Sequence, residues 1–377
     1  MMVIDADAHV LESLDTFGDA YLDPAYWSRR PQAIRCGTRD HWLIDGHLFP
    51  RYVGRGCHII GTPTGSGGFR THAGRKVEGA LDSNQLRDPA ARIAEMEREE
   101  IDLQIIYPTL FLLPLTADPA YGAALCTAYN NWIAERCGRA PGRLRWVAVV
   151  NLDDVDSAVA ELERVRTHLN PVGVMILGTV GEKPLNHPTL SPFFAAAEAV
   201  GLPVSVHVGW SLPSLANMYT SLPESMLIPF TMPLLMAFVA FTAGGLLDRF
   251  PRLRVAFLEY GSEWLPFFVA RMEHALKNIG RYMPELLTMK RKPVDYLRSG
   301  QIYVTCETDE ALLPQVLELV GEDHLLYASD IPHSDRDLFN VRTLRERGDI
   351  PASAKRKILE ENPRRFYALA KEEGEVA

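Results

Sequence analysis

The chain opens with "VIDADAHVLE", Val3 to Glu12, in which apolar residues alternate with Asp5, Asp7 and His9. Alternation with a period of two marks a strand, and it puts these three polar residues on one face. Seven more short apolar runs follow: "DLQIIYPT", "RLRWVAVVNL", "VGVMIL", "PVSVHVG", "LRVAFLEYG", "QIYVTCE" and "HLLYASD". They are apolar and β-branched, as strands covered on both faces must be. Segments of helical character separate them: "DPAARIAEMEREEI", "YGAALCTAYNNWIAERCG", "SAVAELERVRTHL", "SPFFAAAEAVGL", an apolar stretch near Met236, "EWLPFFVARMEHAL" and "EALLPQVLELVG". "SAKRKILEENPRRFYALA" closes the chain. Strands alternating with helices in this way predict a (β/α)8 TIM barrel, a single domain over residues 1–377. An open doubly wound sheet is the alternative, but no dinucleotide fingerprint follows the first strand.

Two segments depart from the pattern. Residues 13–88 are irregular and rich in Gly, Pro, Arg and aromatics, including "GTPTGSGGF". So long a connection leaving the first strand is expected to be a functional insertion, a lid over the barrel mouth. It is not a phosphate loop, since no Gly-Lys-Ser/Thr follows the glycines. Met226–Leu247 carries no charge and is long enough to cross a bilayer. Pro229, Pro233 and Gly244-Gly245 interrupt it, so it is read as a loop plus a buried helix and no membrane partner is expected. A net charge of -9 and a pI near 5.7 argue against nucleic acid as a partner. Five scattered cysteines without a CxxC pair, and a first segment that is already a polar strand, predict a cytoplasmic protein with reduced thiols.

Polar residues at strand ends change the picture. In a barrel the chemistry lies where strands give way to loops. Asp7 and His9 end the first strand, His207 the fifth, Glu259 the sixth, Glu307 the seventh and Asp330 the eighth, with His333 just beyond. Acids gathered at one mouth repel one another and resist desolvation, and a divalent cation removes both penalties. Each residue alone has a plain alternative. Glu259 can begin a solvated loop, Glu307 can cap the next helix, and His333 can support a ligand or meet substrate. His58, in the insertion, is read as a surface residue with the option of dipping into the site. Trp210, Phe230 and Trp264 are the candidates for an apolar pocket holding a small-molecule substrate. Arg51, Arg55, Arg70, Arg75 and Lys76 crowd the insertion and can meet an anion, or simply solvent.

The segments "DADAHVLE", "GLPVSVHVGW", "RFPRLRVAFLEYGSEWLPFFVARME", "YASDIPHSD" and "ENPRRFYAL" make the chain resemble the amidohydrolase-related family. These are metal-dependent TIM barrels that include aminocarboxymuconate-semialdehyde and resorcylate decarboxylases. The resemblance implies a metal at the barrel mouth, held by Asp7, His9, His207 and Asp330. Three features depart from it. The family's first strand carries His-x-His or Glu-x-His, where this chain has Asp7-x-His9. The decarboxylases end strand six with a histidine, where this chain has Glu259. Strand four, "GVMIL", offers no lysine for carbamylation. The resulting carboxylate-rich set, with Glu259, Glu307 and His333 as further ligands, resembles mixed Asp/Glu/His di-iron sites more than His-rich zinc sites. The leading expectation is therefore a dinuclear, non-haem di-iron monooxygenase with two Fe. It would hydroxylate a bulky organic acid or its thioester and draw on an electron donor. The alternative is a mononuclear hydrolase or non-oxidative decarboxylase with one Zn or Mn, in which Glu259 and His333 handle protons. A barrel retired to a binding role is a third reading, against which the intact ligand set argues. A homo-oligomer is expected.

Overall fold

The structure is a computed structural model, and it describes residues 1–64, 80–287, 289–333 and 339–370. Eight parallel strands form one sheet in strict chain order. They are β1 (Ile4–Val10), β2 (Leu103–Pro108), β3 (Leu144–Val149), β4 (Gly173–Leu177), β5 (Val204–His207), β6 (Val255–Leu258), β7 (Ile302–Cys306) and β8 (Leu325–Tyr327). The sheet curls until β1 meets the residues that follow β8. There the Asp330 N–H donates to Asp7 O at 3.0 Å and the His9 N–H to Ile331 O at 2.6 Å. This is the expected barrel, and its strand positions match the sequence runs.

Helices cover the outside: α1 (Pro89–Arg98), α2 (Pro119–Gly138), α3 (Val155–His168), α4 (Ser191–Val200), α5 (Met232–Phe241), α6 (Trp264–Tyr282), α7 (Leu313–Val320) and α8 (Asn362–Tyr367). Side chains cap several of their first turns. Asp118 accepts from the Ala120 and Tyr121 N–H groups, and Asp88 from the Ala90 N–H, satisfying donors that a helix start leaves open. The charge-free run near Met236 is α5. Its Leu234, Ala237, Phe238 and Phe241 are buried, and Phe241 meets Phe194 of α4 and Phe257 of β6 edge-on, at 5.5 and 6.0 Å between ring centres. Each of the buried Leu and Phe side chains contributes about 1.5–3 kcal/mol through removal from water. One stretch, Leu222–Arg249, is apolar enough to cross a membrane by composition. In the fold it is broken into the helices Leu222–Leu227, α5 and Leu246–Arg249, so α5 takes the core role expected for it.

The described part of the insertion is more ordered than its composition implies. It contains an antiparallel sheet of Gln32–Cys36, Arg39–Ile44 and His47–Phe49. Asp45 and Gly46 join the last two strands with φ of 50° and 80°. That is the paired left-handed turn that an Asp-Gly dipeptide favours between strands, a signal already present in "WLIDGHLF".

Candidate metal centre

The ends of β1, β5 and β6 bring Asp7, His9, His207 and Glu259 together, with one ligand atom from each lying within 4.8 Å of the others. A second group with the same spread shares His9 and Glu259 and adds Asp330 and His333. His9 Nε2 lies 3.1 Å from His207 Nε2, 3.4 Å from Asp7 Oδ1 and 3.3 Å from Glu259 Oε2. His207 Nε2 lies 3.1 Å from the same Glu259 oxygen. Separations of this size fit ligands gathered around one cation with bonds of ~2.1 Å.

The tautomers agree with that. His9 Nδ1 lies 2.9 Å from Pro108 O and His207 Nδ1 lies 3.0 Å from Val208 O. A carbonyl only accepts, so each Nδ1 carries the hydrogen and each Nε2 can turn a lone pair into the cluster, the arrangement by which metal-binding histidines are oriented. Among the described residues, buried Asp7 Oδ1 and Glu259 Oε2 have only these imidazoles as polar neighbours able to donate to them. With both Nε2 atoms deprotonated, lone pairs would face carboxylate oxygens, a costly arrangement in a buried site that a divalent cation would relieve.

Charge balance without a cation shows the same demand. Burial alone would lower both imidazoles, yet Asp7 and Glu259 outweigh it and push His9 and His207 up to about 10. Burial likewise raises the Asp7 and Glu259 carboxyls, and the histidines more than reverse it, holding both below the usual carboxylate range. His333 is pulled down to about 3 by burial and by the neighbouring His9. It is thus a neutral ring, 2.6 Å from Asp330 Oδ1 through Nδ1 and 2.9 Å from Thr109 Oγ1 through Nε2.

Beneath the cluster a directed chain of hydroxyls forms the floor. Tyr367 of α8 donates to Ala6 O at 2.6 Å, so its oxygen accepts from Tyr107 at 2.6 Å. Tyr107 in turn accepts from Ser205 at 2.7 Å. Asp5, the third polar residue of the β1 face, lies deeper and takes N–H bonds from Ser329, at 2.9 Å, and Asp7, at 3.3 Å. Despite these donors, burial raises its carboxyl to about 6.

The remaining sequence candidates separate. Glu307 is exposed and belongs to neither four-residue group. Its N–H donates to Glu310 Oε1 at 2.8 Å, while its carboxylate still feels the charges of Glu310, Glu259 and Asp7. Trp210 packs on Phe230 with ring centres 4.4 Å apart, just beyond His207. Trp264 lies elsewhere, in the helix layer, against Phe238 and Phe268. His58 is buried, not superficial: 6% exposed, it packs against Trp210 and Phe49. Arg51 and Arg55 are exposed, while Arg70, Arg75 and Lys76 fall outside the described residues. Sequence reasoning passed over Thr109 and the buried Arg92, which is a helix residue with no strand-end signal.

Residues 4–369 match the family profile described as amidohydrolase. The chain belongs to the amidohydrolase family. Among curated amidohydrolase relatives it is similar to 2-amino-3-carboxymuconate-6-semialdehyde decarboxylase of Dictyostelium discoideum, 26% identical over 77% of this chain and 79% of that one. It is also similar to gamma-resorcylate decarboxylase of Rhizobium radiobacter, 27% identical over 74% and 86%. Among solved structures, the fold resembles an amidohydrolase of Mycobacterium avium subsp. paratuberculosis, with a TM-score of 0.76 at 22% identity over 97% of both chains. It also resembles a manganese-bound 5-carboxyvanillate decarboxylase of Novosphingobium aromaticivorans, with a TM-score of 0.68 at 22% identity over 77% of this chain and 83% of that one.

These findings overturn the di-iron monooxygenase expectation. The curated relatives named here are decarboxylases, which points to the alternative reading. The geometry agrees. The two four-residue groups share His9 and Glu259, and an imidazole Nε2 binds one ion, so the groups describe one centre, not two. The two Fe and the electron donor that went with this reading have no support from the relatives.

Proposed function

We propose that this amidohydrolase catalyses the metal-dependent, non-oxidative decarboxylation of a small aromatic acid, with one Mn or Zn held by Asp7, His9, His207 and Glu259. The observation that carries the reading is a ligand set of one-ion size at the mouth of a barrel whose relatives are decarboxylases. A divalent ion there would supply Lewis-acid polarisation of an oxygen on the substrate. The protein's own groups do the rest. Trp210 and Phe230 offer a flat apolar wall beside the β5 loop, suited to an aromatic ring. When the bond to the carboxylate breaks and carbon dioxide leaves, the electron pair stays on the ring carbon, which must take a proton. Asp330 has a side chain 19% exposed, which opens it to the mouth as the proton carrier. Neutral His333 holds Asp330 in place. No oxidant enters this balance. The proposal also places the protein in a reducing cytoplasm, since its five cysteines are free.

The test is carbon dioxide release from a panel of hydroxybenzoates, carried out without oxygen after loading with Mn2+. Turnover is expected in the wild type. His207→Ala should lose most of its bound metal, as a lost ligand does, and its rate should fall by at least about 10²-fold. Oxygen consumption with no carbon dioxide released, or full metal occupancy and activity in His207→Ala, contradicts the proposal.

A further inference from the structure

The last seam of the barrel differs from the others. From β1 round to β8, each neighbouring pair of strands is joined by a parallel ladder. Between β1 and β8, among the described residues, there are instead the two backbone bonds at Asp7–Asp330 and His9–Ile331. This weakly laddered seam runs between the Asp7–His9 and Asp330–His333 halves of the candidate metal centre.

Side chains bridge it. From within β1, Asp5 accepts from the Ser329 N–H and hydroxyl. From outside, Arg92 of α1 reaches in and is fully buried. Its guanidinium donates through Nη2 to His9 O and through Nη1 to Ile331 O at 3.4 Å. Ile331 O therefore receives both the His9 N–H and an Arg92 N–H, and one planar group spans the two chain segments.

We propose that Arg92 is a positioning residue for the metal centre, clamping the carbonyls of His9 and Ile331 and so fixing the distance between the halves of the ligand set. The inference rests on the reading that this cluster holds a metal. A guanidinium is a rigid fork with several fixed donors, whereas an ammonium is a point charge on a flexible stem. Lysine keeps the charge at this position but cannot reproduce the span. Groups that orient ligands from behind typically contribute 10- to 100-fold to metal affinity.

The experiment uses the full chain as wild type, Arg92→Lys and Arg92→Met. Each is stripped of metal and titrated with Mn2+ against a chromophoric chelator. Wild type should bind one ion, and both variants should bind about 10- to 100-fold more weakly. Val165→Ala, a core change in α3 remote from the seam, should lower the unfolding midpoint without weakening Mn2+ binding, which separates positioning from general loss of stability. Amide exchange of the metal-free proteins gives a second measure. The His9 and Asp330 amides should exchange faster in Arg92→Lys, while those between β5 and β6 stay protected. If Arg92→Met does not fold, Arg92→Lys and this exchange measurement decide the matter. Wild-type affinity and wild-type exchange in Arg92→Lys overturn the clamp alone. A wild-type chain that binds no divalent ion overturns the metal reading and the clamp with it.

Discussion

At the scale of single residues, the cluster is a set of groups that stabilise one another only through shared charge. In the metal-free chain that charge is protons on His9 and His207, whose folded values lie up at about 10 against about 6.5 for a free imidazole. For a base raised on folding, the stabilisation is complete below the unfolded value and is lost as pH rises toward the folded one. Metal binding must displace the same protons. Mn2+ affinity is therefore expected to strengthen from pH 7 to 9, with up to two protons released per ion bound. Titration in weakly buffered solution measures both. Affinity that is flat with pH and free of proton release would show that the two imidazoles are not ligands. Which residues stand at strand ends was legible in the sequence, because a polar residue breaks an apolar run. Backbone conformation there was not. Glu259 and Asp330 both adopt left-handed φ, at 60° and 53°, a state that costs an L-residue about 1–2 kcal/mol. It persists where surrounding bonds hold it, here from the Glu259 N–H to Thr305 Oγ1 and from the Asp330 N–H to Asp7 O.

At the scale of elements, strands and helices were readable because their periods differ and both faces of the strands are covered. The insertion was read less well. Asp45-Gly46 encodes its hairpin locally, but what it packs against depends on contacts far away in sequence. His58 shows this. Flanked by Cys57 and Ile59 it has no pattern of its own, yet Trp210 and Phe49 bury it. Burial lowers its imidazole to about 4. For a base depressed on folding, the unfolded chain binds the proton first, so stability is present above pH 6.5 and falls as pH drops from there toward 4. This contact between insertion and β5 loop should therefore loosen on acidification. Fluorescence from Trp210, isolated by subtracting a Trp210→Phe protein, is expected to shift across that range in the wild type. It should stay steady there in His58→Phe. An identical shift in both proteins would assign the change to another group.

At the scale of the whole molecule, the candidate ligands come from β1, β5 and β6, with Asp330 and His333 following β8. The site therefore joins opposite sides of the ring, and it sits at the seam where the barrel closes. Eightfold alternation in the sequence announces a closed barrel, but not where closure is weakest, since that depends on a few hydrogen bonds between residues more than 300 apart in the chain. An ion held here would act on global stability by mass action, because the unfolded chain cannot gather the same ligands. The gain is about 2.7 kcal/mol when free metal is 100 times the dissociation constant, and about 1.4 kcal/mol for each further tenfold. In a chain of this length such a gain raises the unfolding midpoint by a few degrees. The midpoint should climb steadily with the logarithm of free Mn2+ above the dissociation constant and return to its starting value on chelation. In His207→Ala the climb should begin only at much higher metal. A wild-type midpoint that stays fixed over two decades of free metal above the dissociation constant would mean that the bound ion does not discriminate folded from unfolded chain. The ion would then lie outside this cluster.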